Sequence, residues 1–140
     1  MKILATFDES PLSEVILPVL TMLASLPDVE IELYSVAEVT AAFDEDAISK
    51  RRRELGDYLD RIVTRLPKGP LYSICTDVAM SPMDAATVVV EHAQSKHPDM
   101  IVMATHGRSG VVRMVLGSVA DKIVHSGITP ALLVHPPPAS

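Results

Sequence analysis

The stretch Ile101–Ser118, IVMATHGRSGVVRMVLGS, restricts this chain more than any other: an apolar run leads into a loop holding Gly107 and Gly110, and Gly117 precedes a serine able to start a helix. Met100–Ala104 shows no polar alternation, as expected of a parallel strand buried on both faces. Gly107 and Gly110 supply backbone that can take positive φ and approach a ligand with no Cβ in the way. Gly117-Ser118-Val119-Ala120-Asp121 reads as a helix start, with Ser118 the N-cap and Asp121 closing a capping box. Free N–H groups and the positive end of the helix dipole would then face whatever sits at Ser118, which is the layout of a phosphate site. The same residues can also do no more than make a turn and cap a helix.

Around this stretch, short apolar runs alternate with helical patterns. Lys2–Thr6 is a strand, and Ser10-Pro11 forms a cap and first-turn pair for a helix with Leu12, Val15, Ile16, Val19, Leu20 and Leu23 on one face. Pro18, inside that helix, is expected to kink it. Val29–Val36 is the second strand, and Asp44–Leu66 a helix with a stripe at Ile48, Leu55, Leu59, Ile62 and Leu66. Leu71–Val78 is the third strand, and Ser81-Pro82 repeats the cap-plus-proline start for a helix that stops before His97-Pro98. A last helix runs from about Ser118 to His125, and Ala131–His135 is a fifth strand before a stiff Pro136-Pro137-Pro138 tail. Five strands with right-handed crossovers give a doubly wound parallel α/β sheet.

The spacing Ala104-Thr105-His106-Gly107, nine residues, Gly117-Ser118 resembles the G-x2-G-x9-G-[S/T] nucleotide-binding signature of the universal stress protein family. The resemblance covers nearly the whole chain, from ILATFDES to TPALLVH. It implies a single Rossmann-like domain over residues 1–140, akin to the adenine nucleotide alpha hydrolases, with strand order 3-2-1-4-5 and usually a homodimer. In one branch of the family it implies ATP, with Mg²⁺ held through the phosphates.

With that order the switch point lies between strands 1 and 4, so a ligand is expected beside Thr6-Phe7-Asp8 and Thr105-His106-Gly107. Asp8 there can meet ribose hydroxyls or a divalent cation, or support the first helix cap near Ser10. By the resemblance, backbone at Val36 reads the adenine and Thr6 and Phe7 line the same side. Met103 and Ala104 meet the ribose and phosphates, and Gly107, Gly117, Ser118 and Val119 surround the phosphate chain. Arg108, Arg113 and Lys122 are the cations to consider next. Two positions depart from the family pattern: Ala104 replaces the first glycine of the signature, and Met80 a glycine after strand 3.

The remaining features bound the function. The 140 residues, 48% hydrophobic, suffice for one core. The chain has no membrane-length apolar run, and Asp8 and Glu9 interrupt any signal-like start, so a cytoplasmic protein is expected. A net charge of −6 disfavours nucleic acid, and the basic run Lys50–Arg53 has Glu54, Asp57 and Asp60 close behind, as on a solvated helix face. Cys75, the single cysteine, is expected to be a small buried hydrophobe. His92, His97, His125 and His135 lack the spacing and carboxylate partners of a zinc site, and His106 has no triad around it, so neither metal ligands nor catalytic residues are assigned. Walker A and G-x-G-x-x-G patterns are absent.

Three readings stand. The first is an ATP-binding regulatory module with little or no hydrolysis. The second is an enzyme of adenylated substrates, and the third a dimeric interaction module without nucleotide, which Ala104 and Met80 favour. A homodimer would pair through Ala131–His135, an apolar edge strand with no charged gatekeeper.

Overall fold

A computed structural model of the protein describes residues 1–106 and 116–137. Five strands, β1 (Lys2–Thr6), β2 (Val29–Glu38), β3 (Tyr72–Ser81), β4 (Met100–Ala104) and β5 (Ala131–Val134), pair in the order β3-β2-β1-β4-β5. Every pairing is parallel, with Ile3 opposite both Ile31 and Met100, and Ala104 opposite Val134. This is the expected order.

Because successive strand residues face opposite sides, the sheet builds two cores. Ile3, Ala5, Ile31, Leu33 and Val102 pack against α1 (Leu17–Leu23) and α2 (Glu45–Thr64) through Leu17, Leu20, Leu59 and Ile62. Leu4, Tyr34, Ile101 and Met103 face the other way, onto α3 (Ala85–Lys96) and α4 (Ser118–Ser126) through Val89, Ala93, Ala120 and Ile123. No described helix is long and apolar enough to cross a membrane.

Helix starts depart from the sequence reading in three places. The Ser10-Pro11 segment opens a 3-10 turn, Ser13–Ile16, in which the Ser13 amide donates to Ser10 Oγ at 3.2 Å. The α-helix begins only at Leu17, so Pro18 occupies its first turn, where a missing N–H costs no helical hydrogen bond, and the expected kink has no cause. Ser81 belongs to β3, which pairs with β2 for ten residues, and Asp84 caps α3 instead, accepting from the Thr87 amide at 3.0 Å. Hydrogen bonds from the Thr87 hydroxyl and amide hold the Asp84 carboxyl below its usual range. Gly117, rather than Ser118, is the N-cap of α4; no side-chain cap bond forms there, so the Asp121 capping box is absent.

Helix α2 carries the standard device, with Asp44 Oδ1 accepting from the Ala47 amide at 2.8 Å. Asp44 is exposed, so Asp44→Ala removes the cap without opening the core. It is expected to destabilise the protein by about 1 kcal/mol and to lower the melting temperature by roughly 4 °C in a thermal denaturation.

Cys75 is exposed, which corrects the expectation of burial. The third strand is a sheet edge whose two faces are covered only in part, so Ser73, Cys75, Thr76 and Asp77 meet solvent. Partial burial and then the charge of Glu32 still raise the Cys75 thiol pKa.

Candidate functional site

The carboxyl ends of β1 and β4 open into a cavity of about 560 Å³, within the roughly 300–1,000 Å³ typical of small-molecule sites. Its position follows from the topology, because β1 is flanked by β2 on one side and β4 on the other and the crossovers diverge there. Thr6, Phe7, Asp8, Val36, Met103, Ala104, Gly117, Ser118 and Val119 all line it. Gly107 and Arg108, like Gly110 and Arg113, lie outside the described residues.

One wall is the start of α4. Gly117 is half-buried and Ser118 exposed; the Gly117 amide donates to Thr105 O at 2.7 Å, and its carbonyl accepts from the Asp121 amide at 2.9 Å. The amides of Ser118, Val119 and Ala120 belong to the first turn of a helix with no side-chain cap, so they and the helix dipole present partial positive charge at the cavity. An anion of phosphate size fits that donor set.

The opposite wall is the turn after β1. Asp8 Oδ1 accepts from the Ser10 amide at 2.9 Å and from Ser10 Oγ at 2.5 Å, so Asp8 supports the first turn and borders the cavity at once. Phe7 is buried, its amide donating to Tyr34 O at 3.0 Å, and Ser35 Oγ donates to Phe7 O at 2.7 Å. These bonds lock the β1 terminus to β2 and leave Val36 at the rim.

Several lining residues carried no signal of their own in the sequence. Glu38 ends β2, and its Oε1 accepts from the Ala85 amide at 2.9 Å, tying that strand to the start of α3. Phe43 stands in the β2–α2 connection. Arg51 reaches back from α2 to a hydrogen-bonded ion pair with Glu9 and lies 3.5 Å from Glu54. The bond to Glu9 holds the guanidinium above its usual pKa against a lowering from burial. Lys50, Arg52 and Arg53 are exposed, so the solvated-face reading holds for them while Arg51 borders the cavity.

Other residues fall elsewhere. Lys122 Nζ donates to Thr87 Oγ1 at 2.5 Å and sits 3.9 Å from Asp84, away from the cavity lining. Met80 pairs opposite Ala37 and does not line the cavity either. Thr105 and His106, by contrast, border the cavity as expected; His106 is buried, its Nδ1 and that of His135 lie 2.9 and 3.0 Å from Thr105 Oγ1, and the two rings meet edge to face at 5.5 Å. His92 does have a carboxylate partner, Glu32, sixty positions away and 2.5 Å off, which corrects the reading that none existed.

A parallel sheet of this order, with a cavity at its switch point and an uncapped helix start on the cavity wall, defines a doubly wound α/β protein. Residues 1–135 match the Universal stress protein family, and the chain belongs to that family.

A 52-residue segment is 42% identical to Universal stress protein MJ0531 of Methanocaldococcus jannaschii, covering 37% of this chain and 31% of that relative. Among solved structures, that of protein MJ0577 superposes with a TM-score of 0.86 at 22% identity, over 99% of this chain and 97% of the other. A universal stress protein in complex with cAMP superposes at 0.65 with 17% identity, over 96% of each chain. An Arabidopsis thaliana universal stress protein family protein with AMP bound superposes at 0.56 with 15% identity, over 96% of this chain and 91% of the other.

Proposed function

We propose that this protein is an adenine-nucleotide-binding regulatory module, taking ATP with Mg²⁺ in the switch-point cavity. The observation that carries the reading is the convergence of the Thr6–Asp8 turn, Val36 at the rim of β2 and the uncapped start of α4 on one 560 Å³ cavity. The AMP and cAMP complexes of two similar folds support an adenine nucleotide as the ligand class. In this reading Val36 backbone meets the adenine, Met103 and Ala104 the ribose and phosphates, and the Gly117–Val119 amides the phosphate chain. Asp8 is placed to face Mg²⁺ or the ribose hydroxyls. Mass spectrometry of small molecules released from freshly purified protein tests the reading: an adenine nucleotide is expected, and a clean spectrum together with no heat of ATP binding in calorimetry overturns it.

The module is read as a binder and not an enzyme, acting as a homodimer in the cytoplasm. Multiple-turnover phosphate release from ATP is expected to fall well below the ~1 s⁻¹ at the low end of dedicated phosphotransferases. A rate in that range, lost on Asp8→Asn, would make it an ATPase.

A further inference from the structure

On the far side of Tyr34 from the nucleotide cavity, β2, β3 and α3 bring together three groups that the sequence separates widely. Glu32 pairs opposite Cys75 and Tyr34 opposite Asp77, so all four point to the α3 side of the sheet, Cys75 and Asp77 at its exposed edge. His92 descends from α3 onto this patch. One ligand atom each of Glu32, Asp77 and His92 lies within 4.8 Å of the others. We propose that Glu32, Asp77 and His92 form a binding site for a divalent transition-metal ion, for which Zn²⁺ is the probe.

The imidazole is already oriented. Its ring stacks on Tyr34 with centroids 3.8 Å apart and planes 11° from parallel, which aims Nε2 at Glu32 Oε1, 2.5 Å away. The His92 and Glu32 side chains are only 11% and 21% exposed, so little rotamer freedom remains to be lost on binding. Asp77 is exposed, with Oδ1 accepting from the Val78 amide at 2.9 Å, and it stands at the solvent side where an ion would enter. A second cavity, of about 240 Å³, borders Glu32 together with Cys75 and Lys96.

The donor set selects the ion class. One imidazole and two carboxylates with room for water match the three-ligand open sites of Zn²⁺, and fall short of the six to eight oxygens Ca²⁺ takes. The 2.5 Å contact is a hydrogen bond. Two ligands of a tetrahedral ion with bonds of about 2.1 Å stand roughly 3.4 Å apart, so the Glu32 carboxylate swings outward by under an ångström as the ion replaces the shared proton. Two carboxylates, Glu32 and Asp77, stand beside the imidazole within one small cluster, which favours a cation there. An ion there ties α3 to β2 and β3, and α3 also supplies Ala85 and Val89 to the wall of the nucleotide cavity.

The test is calorimetric titration of tag-free, chelator-treated protein with ZnCl₂. One equivalent is expected to bind the wild type, with affinity reduced more than tenfold in both Asp77→Asn and His92→Gln and unchanged in Cys75→Ser and His97→Gln. Asp77 is exposed, so Asp77→Asn keeps the fold; zinc is expected to raise the melting temperature of the wild type and not of this variant. The proposal is overturned by the absence of stoichiometric binding, by binding that survives either ligand substitution, or by binding lost with Cys75→Ser or His97→Gln, which would assign it to surface groups.

Discussion

Gly117→Val is expected to weaken ATP binding by well over tenfold, about 1.4 kcal/mol or more, while the protein still melts within a few degrees of the wild type. The two outcomes separate because Gly117 is not held in a conformation reserved for glycine. Its φ of −62° and ψ of 163° are extended backbone that any L residue adopts. Its bonds to Thr105 and Asp121 are made by backbone atoms that valine also carries. What glycine supplies is space at the N-terminus of α4, where a phosphate must approach the first-turn amides without a side chain between. Valine at an N-cap is a poorer cap than glycine, which accounts for a small loss in stability. Calorimetry with Mg-ATP reads the affinity and a thermal melt reads the fold. Equal affinity in the two proteins would remove the α4 start from the site, whatever else binds nucleotide.

The chain's local patterns carried the parallel sheet and its two-sided burial, because uninterrupted apolar runs such as Met100–Ala104 have few ways to be buried other than as central parallel strands; the strand order came with the family resemblance. The cavity's position followed from that order alone. Helix starts were less legible. Several residues near each start can act as a cap, and tertiary pairing decides among them: ten-residue pairing with β2 keeps Ser81 in β3 and leaves Asp84 to cap α3. Pro18 looked like an interior proline only because the preceding 3-10 turn and the α-helix share one apolar face.

Contacts across the fold left no local trace. Arg51 reads as one of a run of solvated cations until the β1–α1 loop brings Glu9 to it, 42 positions away. His92 reads as unpartnered until β2 presents Glu32 beneath it. Cys75, a small residue in a strand-like segment, was expected to be a buried hydrophobe, but β3 is a sheet edge and leaves it exposed.

Edge position also shapes the second large effect. The other edge, β5, is proposed to pair with itself across a twofold axis, and Leu132→Lys is then expected to turn the dimer into a monomer. The backbone sets the register. The amides of Ile101 and Thr105 donate to the carbonyls of Pro130 and Val134, so residues 130, 132 and 134 turn their polar groups inward to β4. By alternation, Ala131 and Leu133 direct theirs outward. Antiparallel pairing of two copies through these groups sets Ala131 against the partner's Leu133 and leaves Leu132 facing its own copy on the axis. Leu132 is 38% exposed, whereas Leu133 packs into the core shared with α3 and α4. A charge at Leu133 would therefore confuse unfolding with dissociation, while Lys at Leu132 leaves that core intact. Two lysines would then stand directly opposed about 5 Å apart, where like charges repel, and the apolar contact of the leucines would be lost. The prolines from Pro136 onward donate no ladder hydrogen bonds and keep the pairing from sliding outward. Light scattering at micromolar concentration reads the mass. A wild type already monomeric, or a Lys variant that stays dimeric with an unchanged melting temperature, would rule out β5 as the interface.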